Sequence, residues 1–278
     1  MRTDLPHSPA QPGAAGKPPL LPVLLAFGID ALIAIGLLLS LSVAGFALWG
    51  AFRGIAHVQA AKAQGLTPSP AEVMAAIGQP GVMVQLLTAL VSTATPAVLL
   101  YYWRRRASAR EQADSRAAVR RTSTWGWTAL VAAAVFLLSN LVSVAASALG
   151  IKPVPTNLPL MEEAIEQWPL ALTVFAVLIA PAYEELLFRR VLFGRLLAAG
   201  RPWLGVVLSG VLFALVHEVP GISGNGAAAI VQLWLVYGSM GAAFAWLYWR
   251  TGTLWAPIAA HGINNATALA ALYFFGFG

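Results

Sequence analysis

Apolar and polar stretches alternate along the whole chain with a period too long for a soluble fold. Leu20 to Trp49 is apolar except for Asp30, Ser40 and Ser42, and further apolar runs follow at Val82–Trp103, Trp127–Leu149, Leu170–Ala198, Trp203–Val219, Ala227–Trp249 and Leu254–Phe277. A helix needs about 20 apolar residues to cross a bilayer core, so the pattern predicts an all-α polytopic membrane protein with about seven transmembrane helices. The first run is about twice as long as the apolar core of a signal peptide and is read as a retained span. Pro96 interrupts the second run. Between the first two, Pro68, Pro70 and Glu72 predict a turn into a short amphipathic helix outside the bilayer. Ile151–Pro169 is a polar segment carrying Glu162, Glu163 and Glu166. Residues 1–19 are rich in Pro, Ala and Gly without periodicity and read as a disordered tail. Residues 20–168 form an N-terminal transmembrane region.

Composition strengthens this reading and narrows the chemistry. Of 278 residues, 59% are hydrophobic and 10% charged, with mean hydropathy +0.73. Soluble domains carry about a quarter charged residues. Cysteine is absent, which excludes disulfides, thiolate metal ligands, a cysteine nucleophile and a prenylation motif on the chain itself. The net charge of +6 is concentrated in a basic loop, 104–121, with Arg104, Arg105, Arg106, Arg110, Arg116, Arg120 and Arg121. Arginines beside a span mark the cytoplasmic side or meet anionic lipid, so the expected partner is the bilayer and not nucleic acid. With the N-terminus cytoplasmic, Arg2, Lys17, the loop arginines, Arg189, Arg190, Arg195, Arg201 and Arg250 fall inside, and only Arg53, Lys62 and Lys152 outside. The expected location is the inner (cytoplasmic) membrane, with an odd number of spans.

The chemistry concentrates where charge enters the fourth run, at Pro181-Ala-Tyr-Glu184-Glu185-Leu-Leu-Phe-Arg189-Arg190. An intramembrane carboxylate is costly and persists where it meets a cavity, a partner or a substrate. Glu185 and Arg189 share a helix face at i,i+4, whereas Glu184 lies about 100° round the axis and is left free. His217 and His261 lie in later runs, Phe213 sharing a face with His217 and Asn265 with His261. Counting about 1.5 Å per residue from the helix ends puts Glu184 and His217 both at about 21 Å, and His261 shallower at about 10 Å. Other signals are weaker. His217-Glu218 begins a zincin pattern, but Gly221 stands where the second histidine is required. Gly221-Ile222-Ser223-Gly224 resembles the nucleophile loop of rhomboid serine proteases, with His261 as a base, yet reads as an ordinary turn. Asp30 lacks the second aspartate of an aspartyl protease; it either snorkels or caps a break near Gly28, or serves a cavity. Gly238, Gly241, Ala242 and Ala245 form a small-residue face suited to close helix packing.

Glu184-Glu185-xxx-Arg189, Phe213-xxx-His217 and His261-xxx-Asn265, in that order on separate apolar runs, resemble the CAAX prenyl protease and bacteriocin-processing (CPBP, or Abi-domain) family of intramembrane endopeptidases. The resemblance covers roughly 169–272. It implies that Glu184 and His217 activate a water, that Arg189 holds Glu185, and that His261 and Asn265 hydrogen-bond the carbonyl oxygen as it becomes an oxyanion. It implies a membrane-tethered peptide or protein as substrate, prenylated CAAX proteins being that of the best-known branch. Glu184, His217 and His261 also form a two-histidine, one-carboxylate set of the kind that binds a divalent metal, zinc first. The same groups serve equally as a metal-free base system, and both readings stand at the level of sequence. Two other classes use the same residues: a non-catalytic immunity or assembly factor that keeps them as a polar network, and a proton-coupled transporter that uses Glu184 and the histidines as a relay.

Overall fold

A computed structural model of the chain describes residues 17–276. The predicted tail up to residue 16, with Arg2, lies outside the described residues, as does Phe277. Among the described residues all regular structure is helical: α1 Leu20–Ala63, α2 Pro70–Ile77, α3 Val82–Arg104, α4 Ala109–Val119, α5 Thr122–Ala148 and α6 Leu158–Gln167. Then come α7 Pro169–Ala198, α8 Pro202–His217, α9 Ala227–Thr251 and α10 Trp255–Phe275. Five of these, α1, α3, α5, α7 and α9, are long and apolar enough to cross a membrane. The other two predicted spans differ for identifiable reasons. α8 is apolar but has only 16 residues, and α10 has 21 residues but carries His261, Asn264, Asn265 and Thr267.

Helix boundaries follow local chemistry. Ser69 and Glu72 close a reciprocal capping box on α2, and Ser108 and Glu111 another on α4, each satisfying main-chain donors that a helix start leaves free. α1 continues through Ala51–Ala63, beyond the apolar run that ends at Trp49. No proline interrupts it, and the alanines there favour helix. Its 44 residues span about 66 Å against a bilayer core of about 30 Å. The excess pairs with α2 at Gly54, where an added Cβ would stand 3.4 Å from Val73.

Two contacts set the frame around the polar residues. α8 and α9 cross where Gly210 meets Gly238 and Ala242. A Cβ on Gly241 would lie 2.7 Å from the Cβ of Phe213, so the small-residue face draws α8 in and fixes the helix that ends at His217. α1 is fastened by Asp30, which is fully buried and accepts hydrogen bonds from Arg104 of α3 and Arg195 of α7. The helix runs unbroken through Gly28, so Asp30 is a buried ion-pair hub and caps no break. Ala31, Ala34, Leu100, Phe188, Val191, Leu192 and Phe213 pack around it as a core joining α1, α3, α7 and α8.

Candidate functional site

α7 is no uniform α-helix. It widens into π-helix at Phe175–Ile179 and again at Leu186–Phe193, with a short α-helical segment, Ala180–Glu185, between them. The two carboxylates at the end of that segment go separate ways. Glu185 is fully buried, with its Oε2 2.7 Å from Arg189 Nε and its Oε1 accepting from Arg189 Nη2 at 3.2 Å. Arg189 is equally buried. It donates to Ser209 Oγ at 3.1 Å and lies against the rings of Phe188, Phe213 and Phe244. Those aromatic faces favour a desolvated guanidinium. Glu184 keeps 21% of its side chain exposed, and its Oε2 has no hydrogen-bond partner.

The histidines converge on that free oxygen. His217 Nε2 and His261 Nε2 each lie 3.8 Å from Glu184 Oε2, too far for a direct hydrogen bond and close enough for one water to reach. The other nitrogen of each ring is committed. His217 Nδ1–H donates to the Phe213 carbonyl at 2.8 Å, and His261 Nδ1–H to Glu185 Oε1 at 2.9 Å. Because both Nδ1 atoms carry the proton, both Nε2 atoms of the neutral rings point lone pairs at the gap. The His217 ring is further held between Phe213, centroids 4.1 Å apart, and Tyr237, 4.9 Å. Tyr237, on α9, carries no recognisable spacing in the sequence.

A cavity of about 160 Å³ opens beside Glu184 and His217, and its far wall is Ala31, Ala34 and Leu38 of α1 with Pro96 of α3. The N-terminal helices therefore help to enclose the site, although they lie outside the stretch, roughly 169–272, that the resemblance covers. Asn265 lies one turn beyond His261 and donates Nδ2–H to the Ala176 carbonyl at 2.8 Å. Ser223 hydrogen-bonds to Glu218, which also accepts from Thr156 and Asn225. This network braces the turn after α8 and leaves Ser223 engaged away from His261.

The donor set can be tested for zinc. Bonds of about 2.0–2.1 Å place tetrahedral ligands about 3.4 Å apart, whereas two edges of the Glu184, His217, His261 set measure 3.8 Å. No group of three or more His, Cys, Asp or Glu side chains among the described residues is disposed to hold a metal ion. As placed, the set does not fit zinc.

Residues 166–267 match the family described as type II CAAX prenyl endopeptidase Rce1-like. Over 116 residues the chain is 32% identical to a Bacillus subtilis (strain 168) protein named "Putative membrane peptidase YdiL", a match spanning 42% of this chain and 43% of that protein. The chain thus spans less than half the length of this relative. No solved structure matches it. The family match contains Glu184, Glu185, Arg189, His217, His261 and Asn265.

Proposed function

We propose that this chain, whose residues 166–267 match the Rce1-like CAAX prenyl endopeptidase family, is an intramembrane endopeptidase in which Glu184 and His217 activate water. The observation that carries the reading is the gap itself: an unpartnered carboxylate oxygen faced at 3.8 Å by two imidazole nitrogens that bear lone pairs. A water there gives one proton each toward Glu184 and His217, which turns an oxygen lone pair toward a peptide carbonyl in the cavity. As that oxygen adds to the carbonyl carbon, Glu184 takes its proton, and later returns it to the departing amine. His261 serves the other side. After taking up a proton from solvent, His261, held at Nδ1 by the Glu185 carboxylate, donates Nε2–H to the developing oxyanion. The chemistry runs without a metal.

The proposed substrate is a membrane-tethered peptide or protein, prenylated CAAX-type chain ends being the first to try, since the apolar cavity wall suits a lipid-embedded segment. The N-terminus is proposed to be cytoplasmic, in the inner membrane. The deciding experiment is cleavage of fluorogenic peptides by the purified protein in nanodiscs, comparing wild type with Glu184→Gln and His217→Ala. Each substitution should lower kcat by about 10²–10⁴, the usual worth of acid–base catalysis, without unfolding the protein. Activity should survive a chelator; its loss and recovery with added zinc would replace the metal-free scheme. A folded, monodisperse protein that cleaves nothing across several peptide classes points to an immunity or assembly factor. If Glu184→Gln abolishes pH-dependent uptake, a proton-coupled transporter becomes the better reading.

A further inference from the structure

Pro181 stands three residues before Glu184 and has no main-chain N–H to donate. In the first π-helical turn, the Ala180 N–H bonds to the Phe175 carbonyl, five residues back. The next donor in that register belongs to residue 181, which is the proline, so the Ala176 carbonyl has no main-chain donor there. The α-helical register would assign the Ala176 carbonyl to the Ala180 N–H, which is already given to Phe175. In a bilayer interior no bulk water can take over such groups.

The Ala176 carbonyl instead meets α10. Asn265 donates its Nδ2–H to Ala176 O at 2.8 Å. Three residues earlier, Gly262 packs so tightly that a Cβ on it would stand 2.6 Å from Val177 O. His261 immediately precedes Gly262. The contact that repairs the proline's missing donor is therefore the contact that brings His261 to Glu185 at 2.9 Å and to Glu184 at 3.8 Å.

We infer that Asn265 is a positioning residue, whose amide replaces the N–H that Pro181 lacks and so holds the turn before Glu184 against α10. It sets the separation of Glu184 from His261 by acting on Ala176, and has no need to touch the substrate. The kinetic consequence rests on the endopeptidase reading; the structural one rests on the fold alone.

A main-chain N–H on α7 can replace an amide that bonds to α7, but not one that bonds to a substrate oxyanion. The test is a double-mutant cycle of Asn265→Ala with Pro181→Ala, which restores the N–H. Asn265→Ala should lower kcat at least tenfold, in line with the roughly hundredfold cost of a 1 Å misplacement, with little change in KM. It should also lower the melting temperature in detergent by about 2–4 °C. The double variant should regain most of both losses. A kcat that stays as low in the double variant as in Asn265→Ala overturns the inference and returns Asn265 to the oxyanion. Should Pro181→Ala alone inactivate the protein, the melting temperatures decide: strictly additive shifts overturn the inference, and recovery in the double variant supports it. If wild type cleaves no peptide, the endopeptidase reading fails by itself, and the same melting cycle still judges the Asn265–Ala176 contact.

Discussion

Glu184 and Glu185 are adjacent and chemically identical, yet their surroundings give them opposite tasks. Glu185 is sealed with Arg189 at 0% exposure, where removing one partner leaves an uncompensated charge. Arg189→Ala should therefore destabilise the protein by about 3–5 kcal/mol. In a melt, that variant should fall well below Glu184→Gln, which should unfold close to wild type while losing cleavage. Equal melting temperatures for the two would contradict the division of labour. The Glu185–Arg189 relation was legible in the sequence because i,i+4 spacing places two side chains on one face whatever else the fold does. The His261–Glu185 hydrogen bond was not, since it joins residues 76 apart through the packing of α10 on α7. Tyr237 was likewise invisible: its place over His217 depends on how α9 crosses α8.

At the scale of elements, the basic loop shows how a surface segment is tied to α7. Arg190, beside Arg189, gives Glu111 two hydrogen bonds, 2.7 and 2.9 Å long, and Glu111 also caps α4 through Ser108. The Arg190 hydrogen bonds, with those from Ser108, hold the Glu111 carboxyl at about 2, down from 4.5. A depressed carboxyl stabilises the fold above its unfolded value and loses that contribution as pH falls through the folded one. Glu111 is half-exposed, so solvent screening limits the tie to about 1 kcal/mol or less. Glu111→Gln should therefore melt slightly below wild type at pH 7, the two curves converging as pH falls from 4.5 toward about 2. A difference that does not shrink with acidification would assign the effect to packing. Hydropathy revealed where each long helix runs, but it could not reveal the π-helical turns of α7. The first of them depends on Pro181 and on the Asn265 amide that α10 brings to the Ala176 carbonyl.

At the scale of the whole molecule, α1 closes the cavity without supplying any group at the Glu184–His217–His261 gap. It is held by Asp30 between Arg104 and Arg195. Asp30→Asn should lower stability by about 3 kcal/mol, because two partly buried guanidiniums lose their counter-charge. Since α1 lines the cavity through Ala31 and Ala34, KM should rise more than kcat falls. A fall in kcat alone would mean that Asp30 acts on the catalytic residues directly.

By itself the sequence determined the solvent of this protein and the order of its parts. Long apolar runs cannot be satisfied in water, intramembrane Glu and His are too costly to occur idly, and the i,i+4 pairs follow from helical pitch alone. Only the tertiary structure decided which of those polar groups meet. That outcome depends on non-local contacts: the Gly210–Gly241 crossing that sets His217, the Asn265–Ala176 bond that seats α10, and the Asp30 ion pairs that bring α1 to the cavity. No period along the chain encodes the distance between two helices, because that distance is set by the side chains of both.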